Sequence, residues 1–167
     1  VRAIDALAAA LILIALVAAV VYLAAPDPSV MGGARVIDGD TIKLDGRTIR
    51  LAGMDAPELA QTCGAPAVPE CGHAAREAMV RLVAAGDTHC RIVGQDRYRR
   101  DLGRCLAGGQ DLGGALVRAG LAVAYGGYNR EEAEAKLAGR GIWAGPFERP
   151  QDWRRNHPRA HFADPGE

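Results

Sequence analysis

The chain has 167 residues, with 20 Lys and Arg against 20 Asp and Glu and 49% hydrophobic residues, which supports a single ordinary domain once an N-terminal segment is set aside. Setting aside Arg2, Asp5 and Asp27 leaves 19 basic and 18 acidic residues, so a broadly basic nucleic-acid binder is excluded. Any attraction for a polyanion must be local, with modest affinity.

Ala6 to Ala25 carries no charge, Pro or Gly, and about 20 apolar residues in a helix are enough to span a bilayer. Residues 1–26 are therefore expected to be a membrane anchor, an N-terminal transmembrane helix, with a cleaved signal segment as the alternative. Tyr22 and Leu23 disturb the small-residue cleavage pattern, which favours the anchor. Residues 27–33 are rich in Pro and Gly and read as a linker, and the domain proper is expected over 34–148.

Arg35 to Ile37, Thr41 to Leu44 and Thr48 to Gly53 read as three strands, joined by Asp38-Gly39 and Asp45-Gly46 turns. His73 to Ala85 places Ala74, Ala75, Ala78, Met79, Leu82 and Val83 on one helical stripe, ended by Gly86. Thr88 to Val93 and Leu102 to Ala107 follow as strands around the basic turn Asp96 to Arg100. Leu112 to Ala119 reads as a short helix, Leu121 to Tyr125 as extended chain, and Asn129 to Leu137 as a helix with an Asn129/Glu132 capping box. Short strands with a helix between the third and fourth predict a small closed barrel with packed helices, an α+β domain. Trp143 is expected in the core, and residues 149–167 form a basic tail. No internal repeat is present.

Four cysteines in a small domain behind an export segment read as two disulfides, although four cysteines permit three connectivities. Cys63 and Cys71 bracket a short loop, and Cys90 and Cys105 lie on two apolar runs joined by a charged turn. The expected pairs are Cys63 with Cys71 and Cys90 with Cys105. A zinc site using His73 beside Cys71 lacks the close cysteine spacing that such sites use.

The stretch from Ile37 to Glu58 carries the chemistry. Asp40 and Asp55 stand at the two ends of a predicted hairpin, where their oxygens can meet around a hard cation. Arg50 lies on a strand whose neighbours Ile49 and Leu51 point the other way, and its planar fork of donors suits a phosphate. Glu58 follows Pro57, three residues beyond Asp55. Asp38 is expected only to shape an Asp-Gly turn.

This stretch closely resembles the staphylococcal nuclease (thermonuclease) family, and the resemblance extends over most of the chain beyond Gly33. It implies a five-stranded OB-fold and a Ca2+ site made by Asp40, Asp55 and the carbonyl of Ala56. It further implies Arg50 and Arg100 as phosphate-binding catalytic arginines and Glu58 as general base. In the family's pattern an acid and any residue are followed by Tyr, Gly and Arg; here Asp96-Arg97-Tyr98-Arg99-Arg100 puts Arg99 in the glycine position. Tyr125 and Tyr128 correspond to aromatics that stack on bases. The implied activity is calcium-dependent endonucleolytic hydrolysis of DNA or RNA, single strands preferred, leaving 3′-phosphate ends. Behind a membrane anchor the site would face the periplasmic or extracellular side. The competing reading is an inactive OB-fold module that binds single-stranded nucleic acid or a protein. Against it, all five side-chain positions assigned to catalysis (Asp40, Arg50, Asp55, Glu58 and Arg100) keep the expected residue type.

Overall fold

A computed structural model describes residues 2–23 and 29–158 of the chain. The elements run α1 (Arg2–Leu23), β1 (Ser29–Gly32), β2 (Arg35–Val36), β3 (Thr41–Leu44), β4 (Arg47–Leu51), β5 (Met54–Asp55), α2 (Cys71–Val83), β6 (Thr88–Gln95) and β7 (Asp101–Ala107). They continue with β8 (Gln110–Asp111), α3 (Leu112–Arg118), β9 (Val123–Ala124), α4 (Asn129–Leu137), a 3-10 turn (Gly141–Ala144) and α5 (Pro150–Asn156).

β3 and β4 form the hairpin that the sequence predicts. Ile42, Leu44, Ile49 and Leu51 are buried while Lys43 faces solvent and Thr48 and Arg50 are half-buried, the period of two that a half-buried strand requires. At the turn, Asp45 and Gly46 both take left-handed backbone, φ 49° and 75°, which a two-residue hairpin turn of the right twist needs. β6 and β7 make a second hairpin, in which Cys90 pairs with Cys105.

The main sheet has the order β1-β6-β7-β4-β3-β2, with β8 added to β7, and a separate ladder joins β5 to β9. All pairings are antiparallel except β4 with β7, which is parallel. β1 and β2 stand at opposite ends of this order, yet only Gly33 and Ala34 separate them in the chain. The sheet must therefore curl until its two edges meet. Counted with β1 and β2 as one bent strand, the circuit has five strands.

Inside it, Ile42, Leu44, Ile49, Leu51 and Met54 pack against Met79 of α2 and Leu112, Leu116 and Val117 of α3. Cys71, Val123 and Ile142 form a second, smaller cluster with Trp143 and Phe147 at its margin, their rings edge to face at 4.9 Å. Both disulfides, Cys63 with Cys71 and Cys90 with Cys105, are formed as expected.

Four features differ from the sequence expectations. Ser29–Gly32, within the expected linker, is strand β1, held by antiparallel pairing to β6 and buried at Val30. The expected basic tail contains α5, which starts with Pro150 in its first turn and buries Trp153. The Asn129/Glu132 capping box does not form. Tyr128 is the N-cap, in left-handed backbone without a side-chain cap, while Glu132 accepts the Ala124 N–H at 3.0 Å. The fourth concerns α1: among the described residues no helix is long and apolar enough to cross a membrane. Leu11 to Val20, part of the expected transmembrane run, expose their apolar side chains. The rest of that run lies outside the described side chains.

Because the Cys90–Cys105 bridge spans 15 residues of sequence, replacing both cysteines with serine is expected to lower stability by about 3 kcal/mol in the chain-entropy account. Calorimetric melting of the full chain checks this, and an unchanged melting temperature would contradict it.

Candidate active site

Three pairings bring the acidic and basic residues of the site together. The β3–β4 register sets Thr41 opposite Arg50, so the preceding residue, Asp40, lies beside the end of β4. The Leu51 N–H, donating to the Asp40 carbonyl at 2.8 Å, fixes that position. The parallel β4–β7 register sets Arg50 opposite Leu102, which carries the β6–β7 turn and Arg100 to the same end of the barrel. β5 pairs with β9, Asp55 against Val123, and turns Asp55 back toward Arg50.

Close approach at this end depends on two glycines. A Cβ on Gly39 would lie 2.7 Å from the Cβ of Ala56 and 2.8 Å from that of Ala75; one on Gly72 would lie 1.8 Å from the Glu58 carbonyl oxygen. Gly39 thus lets the Asp40 turn settle on Ala56, and Gly72 lets the start of α2 pack on the Glu58 backbone.

Arg50 is the hub. Its Nη1 donates to Asp40 Oδ1 at 2.8 Å, and its Nη2 reaches Asp40 Oδ2 at 2.7 Å and Asp55 Oδ1 at 2.6 Å. The Thr41 hydroxyl donates to Asp40 Oδ1 at 2.8 Å, and the Ala56 N–H to Asp40 Oδ2 at 3.3 Å. It is thus the amide of Ala56, rather than its carbonyl, that meets Asp40. Asp38 shapes the turn by accepting the Asp40 N–H at 3.0 Å. Burial, the largest influence, pushes the Asp40 carboxyl up to about 7, while Arg50 pulls it down and Asp38 and Asp55 push it up. Burial also opposes the charge of Arg50, but Asp40 and Asp55 outweigh it and hold the guanidinium above its ordinary value.

Arg100 sits in a tight loop closed by Asp96. One Asp96 oxygen accepts the Tyr98 and Arg100 N–H groups at 2.8 and 3.0 Å, and the other accepts Arg100 Nε at 2.8 Å. Burial raises the Asp96 carboxyl, but the hydrogen bonds from Arg100 and Tyr98 hold it below its ordinary value. Arg99 takes φ 66°, left-handed backbone that glycine adopts freely, so the cost of a side chain at position 99 falls on the local backbone.

Asp40, Arg50, Ala56, Glu58 and Arg100, with Asp38, surround a cavity of about 30 Å3. Beside it runs a groove of about 600 Å3, walled by Arg50, Tyr98, Arg100 and Tyr125 on one side and by Gln151 and Arg154 of α5 on the other. Tyr125 is 61% exposed at its rim. Tyr128 does not line it. Its ring lies against Gly113 and Gly114, and its hydroxyl donates to Asp111, whose carboxylate also caps α3 through the Gly114 N–H. Burial and that bond to Asp111 hold the phenol well above its ordinary value.

Arg154 and Gln61 are the residues that the sequence reading missed. Arg154 donates from Nη1 to Asp55 Oδ1 at 3.0 Å and to Glu58 Oε1 at 2.8 Å, and from Nη2 to Asp55 Oδ2 at 2.9 Å. Gln61 is buried; its oxygen accepts the Glu58 N–H at 3.2 Å and its amide donates to the Glu148 carbonyl at 2.6 Å, tying the Glu58 loop to the approach to α5. The sequence does carry a signal: Pro150 followed by Trp153 marks a helix start with a buried face, and Arg154 comes next.

Residues 48–145 match the "Staphylococcal nuclease homologue" family. The chain belongs to the staphylococcal nuclease family. It is 37% identical over 123 residues to a succinoglycan biosynthesis protein of Rhizobium meliloti, covering 68% of this chain and 64% of that protein. It is 34% identical over 143 residues to a "Probable endonuclease" of Pyricularia oryzae, covering 74% of this chain and 55% of the other. An "Uncharacterized endonuclease" of Haemophilus influenzae is 30% identical over 134 residues, covering 72% of this chain and 70% of that protein. The chain thus spans under two thirds of the length of the first two of these relatives. The family match contains Arg50, Asp55, Glu58 and Arg100, and begins after Asp40.

Whether these residues suit the family's calcium follows from their geometry. Both Asp40 and Asp55 are buried and reach one guanidinium nitrogen, which puts two hard oxygen donors within the span of one calcium ion, whose oxygens lie at about 2.3–2.6 Å. Among the described residues no group of three or more His, Cys, Asp or Glu converges as a ready cage. The fit is therefore to a partly hydrated cation held by two carboxylates.

A raised Asp40 has a measurable consequence in metal-free buffer. Between the ordinary 3.8 and about 7 the folded chain holds a proton that the unfolded chain has lost, so stability should fall as pH rises through that window and level off above it. Asp40→Asn should remove this slope. Denaturant titrations across the window check it, and an identical slope in the variant would refute the assignment.

Proposed function

We propose that the protein is a calcium-dependent endonuclease acting on single-stranded DNA or RNA outside the cytoplasm and leaving 3′-phosphate ends. The observation that carries this reading is the small cavity bounded by Asp40, Ala56, Glu58, Arg50 and Arg100, opening beside the groove of arginines and tyrosines. Asp40 and Asp55 would hold the cation, with the Ala56 carbonyl as a further ligand. Calcium, when bound, supplies polarisation of a phosphoryl oxygen and a site for the attacking water.

The chain's own residues do the rest. Arg50 faces the cavity from β4 and Arg100 from the β6–β7 loop, and both neutralise charge growing on the non-bridging phosphate oxygens. Glu58 takes the proton of the water, a contribution worth typically about 10² to 10⁴ in rate. The 5′ oxygen then leaves with a proton from solvent. Tyr125, exposed at the rim, offers a flat face for a base, which suits sequence-tolerant recognition of single strands. Tyr128 supports the fold.

The OB-fold name for the five-strand circuit belongs to this reading. Export is supported by the two disulfides, which persist in oxidising compartments. Membrane anchoring is supported by the uncharged run Ala6 to Ala25 and by the exposed apolar side chains of α1.

Single-turnover cleavage of a short DNA strand tests the proposal. Asp40→Ala and Asp55→Ala should abolish calcium-stimulated cleavage. Arg100→Ala should lower the rate by about 10² or more, and Arg99→Gly should leave it equal or slightly raised. Equal cleavage in chelator would sink the calcium reading, and loss of chemistry in Arg99→Ala with retention in Arg100→Ala would shift the register by one.

A further inference from the structure

Asp55 gives both of its oxygens to arginine. Arg50 takes Oδ1 from the barrel side, and Arg154 takes Oδ1 and Oδ2 from α5 while also binding Glu58. The Arg154 side chain is only 23% exposed, and those of Asp55 and Glu58 are 2% and 22% exposed. This is a partly buried ion-pair network, where removing a partner has consequences that a surface pair lacks.

The helix that delivers Arg154 is seated independently of it. Trp153 is buried and stacks on His157 at 4.6 Å, Pro150 is buried, and Gln61 ties Glu148 to the Glu58 loop. A long side chain on a fixed helix can therefore swing while the helix stays in place. Its swing has somewhere to go, since Arg154 also lines the groove of about 600 Å3.

Charge decides what would move it. Among the described residues, Asp40, Asp55 and Glu58, when ionised, carry three negative charges, and the positive charges paired with them are those of Arg50 and Arg154. A divalent cation together with Arg50 balances the three carboxylates; a divalent cation with both arginines leaves an excess positive charge in a poorly solvated place. Geometry gives the same answer, because Asp55 Oδ1 already accepts from two guanidinium groups and Oδ2 accepts from Arg154.

We propose that Arg154 is a positioning residue that acts as an internal counter-cation of the active centre: it holds Asp55 and Glu58 in competition with the divalent metal and is displaced into the substrate groove when metal binds. This rests on the nuclease reading above. Displacement withdraws one guanidinium from Glu58 and Asp55 and leaves it on the groove wall, where it meets the phosphate backbone of the strand. Metal loading and strand binding are thereby linked through one side chain, and linkage of this kind is reciprocal.

Calcium affinity, measured by titration calorimetry on the full chain without nucleic acid, is the test. Arg154→Gln should bind calcium about tenfold or more tightly than wild type, within the usual range of coupling between ligands. Arg154→Lys, which keeps the charge but not the fork that bridges Asp55 and Glu58, should fall between them. Arg155→Ala, on the same helix and paired with Asp152, should match wild type. Equal or weaker binding in Arg154→Gln, with calcium binding intact in wild type, would overturn the role of Arg154 and leave the nuclease reading standing. No calcium binding in any of the four proteins would remove both.

Discussion

One guanidinium between two buried carboxylates organises this end of the molecule. Asp40, just before β3, and Asp55, at the end of β5, would repel each other in a poorly solvated site; Arg50 holds them together through contacts of 2.6 to 2.8 Å. Breaking a buried pair of this kind by removing one partner typically costs about 3–5 kcal/mol, because the remaining charge has no solvent to turn to. The β3–β4 register, the parallel β4–β7 pairing and the short β5–β9 ladder each supply one side of that contact. The barrel is thus what allows like charges to stand close enough to share a cation.

The same arrangement accounts for the composition. A chain with no net charge cannot draw a polyanion by its overall field, but Arg50, Arg100 and Arg154 converge on one groove. Local concentration of arginine replaces global basicity, with affinity that is modest and salt-sensitive. Exposed Tyr125 adds a flat surface at the rim, where stacking depends little on sequence. A nuclease of the staphylococcal family built this way would rely on fit at the phosphate rather than on tight general binding.

Much of this was legible in the chain where the signal is local. The alternation in β3 and β4, the Asp45-Gly46 turn and the stripe of α2 follow from side-chain period and turn chemistry. The clustering of Asp40, Arg50, Asp55 and Glu58 was legible through motif and hairpin together. What escaped depends on contacts between distant residues. Strand β1 looked like linker because its stretch holds Pro28, Gly32 and Gly33, and only pairing with β6 makes it a strand. Tyr128 looked like a base-stacking aromatic, but Asp111, 17 residues earlier, claims its hydroxyl. Arg154 lay in an apparently polar tail, and its role exists only because Trp153 docks the helix 99 residues along the chain from Asp55.

Calcium-dependent melting of Arg50→Met tests the central claim most directly. If Arg50 is the charge that lets two buried carboxylates coexist, the variant should melt well below wild type in chelator, and calcium should raise its melting temperature by more than it raises that of wild type. Equal melting of the two proteins in chelator, or no greater response of the variant to calcium, would contradict a site organised around a shared cation.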